Sequence, residues 1–205
     1  MSESKIDIIL NSAEELMYGI SRPKGEITVD MIAKNAGIGK GSIYYYFKSK
    51  DEIIDSVIER CYTTAINEYF SIISNADNTF EKMKILFCSM LKEEFLDSSK
   101  NVLMALHLQD DIVMHYKMMT IAIKTISPIL SRILIDGTKE GTVQTDSPKD
   151  SAEMMIAMLT LLLNNANSAA DNESISIKLR LYAKILETCL KTKPGSFEFL
   201  YSSMN

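Results

Sequence analysis

Lys40, Tyr44 and Tyr45 are the residues whose types and spacing point most directly to chemistry, and that chemistry is hydrogen bonding to nucleic acid. In the run Lys40-Gly-Ser-Ile-Tyr-Tyr-Tyr-Phe47, about 100° of helical turn per residue places Lys40, Gly41, Tyr44 and Tyr45 within an arc of roughly 140°. That face offers an ammonium, two phenols and a glycine that permits close backbone approach. Such groups hydrogen-bond phosphates and base edges. Ile43 falls on the far side, free to pack against Ile32 and Ala36. The competing reading of Tyr44-Tyr45-Tyr46-Phe47 is an aromatic core stripe, but three successive aromatics on a helix cannot all face inward.

Other candidate chemistry is sparse. His107, Asp111 and His115 share a helix face at four-residue spacing, with Asp110 beside them. Two histidines on one helix are more often surface or pocket residues than ligands, and no metal is expected. There is no Gly-rich phosphate loop on a strand–helix unit, no paired Cys motif and no nucleophile elbow. The chain is therefore not expected to be an enzyme, and no cofactor is expected.

The element that must position Lys40 and the tyrosines is the preceding run, Val29, Ile32, Ala33 and Ala36, broken by Gly37 and Gly39. Two short helices joined by a tight Gly-containing turn form a helix-turn-helix, whose second helix enters the major groove. Thr28 is placed to cap the first of these helices. Ser49 followed by Glu52 reads as a capping box opening a long helix to about residue 74. Lys50, in its first turn, is placed where amide N–H groups and the ammonium can hold one phosphate.

With these residues in view, the chain resembles the tetracycline-repressor (TetR) family of transcriptional regulators. The family signature matches at Thr28, Ile32, Ala33, Ala36, Gly37, Ile38, Gly39, Lys40, Gly41, Ser42, Ile43, Tyr44, Tyr45, Phe47, Ser49, Lys50, Asp51 and Ile53. Gly39 stands where Ser is common, which removes a side-chain cap, and Tyr46 stands where His is common. The resemblance implies DNA contacts from Thr28, Gly39, Lys40, Gly41, Ser42, Tyr44, Tyr45, Tyr46 and Lys50. It also implies an all-α fold of about nine helices. A helix-turn-helix DNA-binding domain (residues 1–48) would be followed by a helical ligand-binding and dimerisation domain (49–205).

Charge distribution agrees. The 205 residues carry a net charge of −5, yet residues 21–50 hold six basic residues against two acidic ones. A local basic patch on an acidic body is the footprint of a small DNA-reading module. Three widely spaced cysteines (Cys61, Cys88, Cys189) suggest a reducing compartment. The N-terminus lacks a signal-peptide core, and the longest nearly apolar run, Met154 to Leu163, is too short to span a bilayer. A cytoplasmic protein with no membrane partner is expected.

Hydrophobic spacing predicts further helices over 4–20, 78–97, 100–116, 117–137, 148–168 and 174–192, with a loop at 21–25. Pro128 is expected to kink or divide its helix. The 148–168 segment is apolar almost all round, which predicts burial on every side. A single helix-turn-helix contacts too little DNA for useful specificity, so such readers pair on half-sites. The last two helices are expected to form a four-helix bundle with a twofold mate through Met155, Met158, Leu159, Leu162, Leu179, Tyr182 and Leu186. Thirteen methionines suit a pocket for varied apolar ligands. The resemblance implies a small apolar or amphipathic effector near Tyr62, Phe87, Met90, Met104, Met114 and Met118. The expected function is a ligand-responsive repressor on palindromic operator DNA. The rivals are an all-helical small-molecule-binding or enzymatic protein with a degenerate helix-turn-helix, and an α-helical adaptor.

Overall fold

A computed structural model describes residues 4–19, 27–91, 103, 112–164 and 172–202. Met104, His107, Asp110 and Asp111, the loop expected at 21–25, most of the helix expected over 100–116 before residue 112 and the end of the helix expected to reach residue 97 lie outside the described residues. Among those described, nine helices and no strand occur. They are α1 (Lys5–Gly19), α2 (Val29–Asn35), α3 (Lys40–Tyr46), α4 (Lys50–Asn75), α5 (Thr79–Leu91), α6 (Ile112–Glu140), α7 (Pro148–Asn164), α8 (Asn172–Cys189) and α9 (Phe199–Ser202). The all-α expectation holds.

The first three helices pack around Ile9, Ala13, Ile32, Ile43 and Ile53, all at most 1% exposed. α1 braces the turn by hydrogen bonds as well as packing. The buried Ser12 hydroxyl donates to Ile32 O at 3.0 Å, and Asn35 Nδ2 donates to Glu15 Oε2 at 2.9 Å. Gly37 takes φ +65, a left-handed conformation that glycine adopts without steric cost. That conformation ends α2 and turns the chain into α3.

α4 begins beside α3 and runs into the body. Ser49 accepts from Glu52 N at 3.1 Å, while the Glu52 carboxylate accepts from Lys48 N, so the predicted capping box forms with its backbone donor one residue before the Ser49 cap. α4 packs on α1, α5 and α6. Buried residues of both ends belong to one continuous cluster, so no break in the core marks residue 48.

α6 is one helix from Ile112 to Glu140, where two were expected, and Pro128 does not divide it. Proline cannot donate to the carbonyl four residues back. Pro128 lies on the exposed face, where water can satisfy the carbonyl of Lys124. By length and composition α6 could cross a membrane, a property hidden from run-length reading because Lys117, Lys124 and Arg132 interrupt it. Its inner stripe, Met118, Ala122, Ile126, Leu130 and Leu134, is fully buried in the protein. Near its end the α6 backbone comes close to α5: a Cβ built on Gly137 would lie 2.5 Å from Thr79 Cγ2.

α7 is not buried on every side. Ala152, Ile156 and Leu159 are fully buried, but Met154 is 69% and Leu161 53% exposed. α9, with no counterpart in the expected helices, brings Leu200 into the core behind Phe197, which lies 5.9 Å from the Phe80 ring.

Candidate nucleic-acid interface

Ile43 is the anchor of α3. It is fully buried, with Phe47 7% exposed just beyond the helix, and these two fix the rotation of α3 about its axis. The opposite face then points outward. Tyr44, Tyr45 and Tyr46 are 51%, 83% and 38% exposed, so the core-stripe reading holds only for Phe47. Tyr45 and Tyr46 meet edge to face at 4.9 Å, which orients the two phenols relative to each other.

The glycines carry an independent signal. Gly37 is explained by its φ, but Gly39 and Gly41 have ordinary backbone angles, and a Cβ on either would meet no atom within 4 Å. Neither turn geometry nor packing among the described residues calls for glycine there. Gly41 is the second residue of a helix, where glycine costs stability relative to alanine. Space kept open at such a cost suits a surface that arrives from outside.

Lys40 opens α3, and its Nζ lies 2.8 Å from Asp30 Oδ2 in the first turn of α2. The Asp30 hydrogen bond raises the Lys40 pKa above its ordinary value. Thr28 caps α2, accepting from Met31 N at 3.2 Å. Gly39 caps α3 without a side-chain bond, as the Ser-to-Gly departure predicts. Ser42 and Lys50 are half-buried at the edge of the same surface, Lys50 in the first turn of α4. The structure therefore places Gly39, Lys40, Gly41, Ser42, Tyr44, Tyr45 and Tyr46 along α3 and its cap, Thr28 at the start of α2 and Lys50 at the start of α4, with α2 and α3 joined through Asp30 and Lys40. Asp30, which belongs to this surface, escaped the sequence reading because an acid in a first helical turn passes as a favourable dipole contact.

Behind this surface, α4 is tied to two other helices. Arg60 bonds Glu14 of α1, and Lys117 of α6 reaches Asp55 at 3.0 Å and Asp51 at 3.3 Å. Burial pulls the Lys117 pKa down, but the Asp55 and Asp51 carboxylates outweigh it and hold it above the ordinary lysine value.

Of the residues expected to hold an effector, Tyr62, Phe87, Met90 and Met118 are buried in the common core, and Met114 packs partly buried against it. Phe87 stands edge to face with Tyr182 at 6.4 Å. Among the described residues no group of three His, Cys, Asp or Glu is placed to hold a metal.

The residues named for the dimer interface divide. Met158 and Leu162 are partly exposed, but Met155, Leu159, Leu179, Tyr182 and Leu186 lie within the protomer's own core, at 5% exposure or less. Tyr182 donates its hydroxyl to Met155 O at 2.7 Å, tying α8 to α7. Those five have no surface to offer a second copy. The outward faces of the same helices carry Met154 and Leu161, seven residues apart, and Ile177 and Leu181, four apart, all more than half exposed. The spacing was the available signal; choosing between two apolar faces needed the fold.

Comparison with known proteins extends this geometry. The family model described as "Bacterial regulatory proteins, tetR family" matches residues 9–57, and "Tetracyclin repressor-like, C-terminal domain" matches 96–185. The HTH-type transcriptional regulator YhgD of Bacillus subtilis is 24% identical over 168 residues, covering 76% of this chain and 83% of that one. The HTH-type transcriptional regulator EthR of Mycobacterium tuberculosis is 36% identical over 76 residues, 37% of this chain and 34% of EthR. Among solved structures, RolR in complex with the ligand resorcinol superposes with a TM-score of 0.69 at 16% identity, covering 97% of this chain and 93% of RolR. Two tetR models that together span most of the chain, on a fold with an exposed reading helix, indicate a DNA-binding transcriptional regulator and not an enzyme. The chain belongs to the tetR family of bacterial regulatory proteins.

Proposed function

We propose that this regulator is a cytoplasmic repressor that binds palindromic operator DNA as a homodimer and is released by a small apolar or amphipathic effector. Residues 1–48 read the DNA, and residues 49–205 bind the effector and the second copy. The observation that carries the reading is the outward face of α3, where Lys40, Gly41, Tyr44 and Tyr45 stand exposed on a helix whose rotation is set by buried Ile43. Thr28 and Lys50 flank it as phosphate contacts. Met154, Leu161, Ile177 and Leu181, with the partly exposed Met158 and Leu162, supply the apolar surface for a four-helix contact between copies.

Effector release requires that the ligand bind one spacing of the two reading helices better than the other, since equal affinity shifts nothing. The buried residues Tyr62, Phe87, Met90 and Met118, with Met114 at their edge, support a site within the body. The neighbouring RolR structure holds resorcinol, which makes small phenols a reasonable first panel.

The test is fluorescence anisotropy with duplex DNA from upstream of the protein's own reading frame against a scrambled duplex. Lys40→Ala and Tyr44→Ala are expected to weaken operator binding without changing the melting temperature. Lys50→Ala is expected to lower the salt slope by about one phosphate's worth. Unchanged affinity in all three would overturn the interface.

A further inference from the structure

Lys40 is the one charged residue of α3, whose sequence is Lys-Gly-Ser-Ile-Tyr-Tyr-Tyr. In the free protein that charge is already paired, at 2.8 Å from Asp30. Asp30 is itself 70% exposed, two residues beyond the Thr28 cap. The helix dipole accounts for an acid in the first turn of α2. It does not account for the direction of the side chain, which reaches across the turn to the start of the next helix. A carboxylate beside a surface that meets phosphates also repels them, so its presence calls for a compensating role.

We propose that Asp30 is a specificity-determining residue of the reading surface: its carboxylate holds the Lys40 ammonium and directs it away from phosphate capture toward an acceptor on a base edge. The inference rests on the operator-binding reading above. On an arbitrary duplex, a phosphate that approaches the Lys40 ammonium meets the Asp30 carboxylate 2.8 Å from it as well, so attraction to the one is offset by repulsion from the other. The usual gain from neutralising a phosphate is thereby reduced. An ammonium has three protons. Where the duplex presents an acceptor such as guanine O6 or N7 within reach, Lys40 can donate to it while keeping one proton on Asp30. The pair therefore penalises wrong sequences more than the right one, which is how discrimination is built from a repulsive element. Asp30 acts through Lys40 as a positioning residue.

The experiment uses the full-length protein, the upstream duplex and a scrambled duplex of the same composition, titrated at several salt concentrations. Asp30→Asn, which preserves side-chain shape, is expected to lower the ratio of operator to scrambled affinity by about tenfold, chiefly through tighter binding to the scrambled duplex. The salt slope on that duplex should steepen by about one phosphate's worth. Asp30→Glu should recover the ratio. In a Lys40→Ala background, Asp30→Asn should change the ratio no further. An unchanged ratio in Asp30→Asn, or an equal fall with Lys40 absent, would overturn the proposal, because Asp30 would then be only a fixed repulsive charge. A wild-type protein that fails to discriminate the two duplexes would instead remove the operator-binding reading itself.

Discussion

At Gly41 the free protein gives no reason for glycine, and this makes the residue a sensitive probe of what lies outside the chain. Its backbone is helical and a Cβ there would meet nothing within 4 Å. Gly41→Ala is therefore expected to stabilise the protein, by about 0.5–1 kcal/mol. On the proposed binding mode the same methyl would stand where the DNA backbone approaches, and a clash of about 1.4 kcal/mol weakens binding about tenfold. Denaturant unfolding and operator titration on one preparation read both effects. A variant that gained stability and kept its full affinity would place the DNA elsewhere.

Between elements, α6 comes close to α5 at Gly137, and this sets a different expectation for a different glycine. A Cβ on Gly137 would meet Thr79 Cγ2 at 2.5 Å, Thr79 Oγ1 at 2.9 Å and Val143 Cγ2 at 3.0 Å. Thr79 is branched at Cβ, buried, and bonded to Glu140 at 2.8 Å, so it cannot swing away at small cost. Gly137→Ala should destabilise the fold by about 1–3 kcal/mol. Adding Thr79→Ser, which removes the offending methyl, should recover part of that loss in thermal melts. The two glycines thus respond in opposite directions to the same substitution, because one faces solvent and the other a neighbouring helix. The length of α6 follows the same logic: exposure at Pro128 lets a single helix carry contacts to α4, α5 and α7.

For the whole molecule, assembly and pH dependence follow from which groups the fold covers. Leu161 is 53% exposed and Leu159 fully buried on the same helix. If Leu161 lies in the proposed contact between copies, Leu161→Glu is expected to leave a folded monomer in sedimentation equilibrium where the unaltered protein is dimeric. Leu159→Ala should instead cost about 2–5 kcal/mol of protomer stability. Alkaline pH addresses the interior. Burial pushes the Cys61 thiol from 9.0 up to about 12 and raises the phenols of Tyr62 and Tyr182 as well. The folded state keeps these protons where the unfolded chain gives them up, so stability is complete below about pH 9 and falls as pH rises. Urea unfolding at pH 10.5 should show Cys61 alone costing about 2 kcal/mol relative to neutral pH. Cys61→Ala should flatten that slope.

The reading module was legible because its determinants are local. Gly37 in its left-handed turn, the Thr28 and Ser49 caps, and the Ile43/Tyr44 alternation of faces all act within a few residues of themselves, so residue order alone determined α2, α3, the start of α4 and the outward display of Lys40 and Tyr45. Only the tertiary structure decided which apolar face of α7 and α8 stays outside, that α6 passes through Pro128, that Lys117 is clasped by Asp51 and Asp55, and that Asp30 holds Lys40. Each of these depends on partners brought together from separate elements. A helix apolar on two faces carries no record in its own sequence of which face its neighbours will cover.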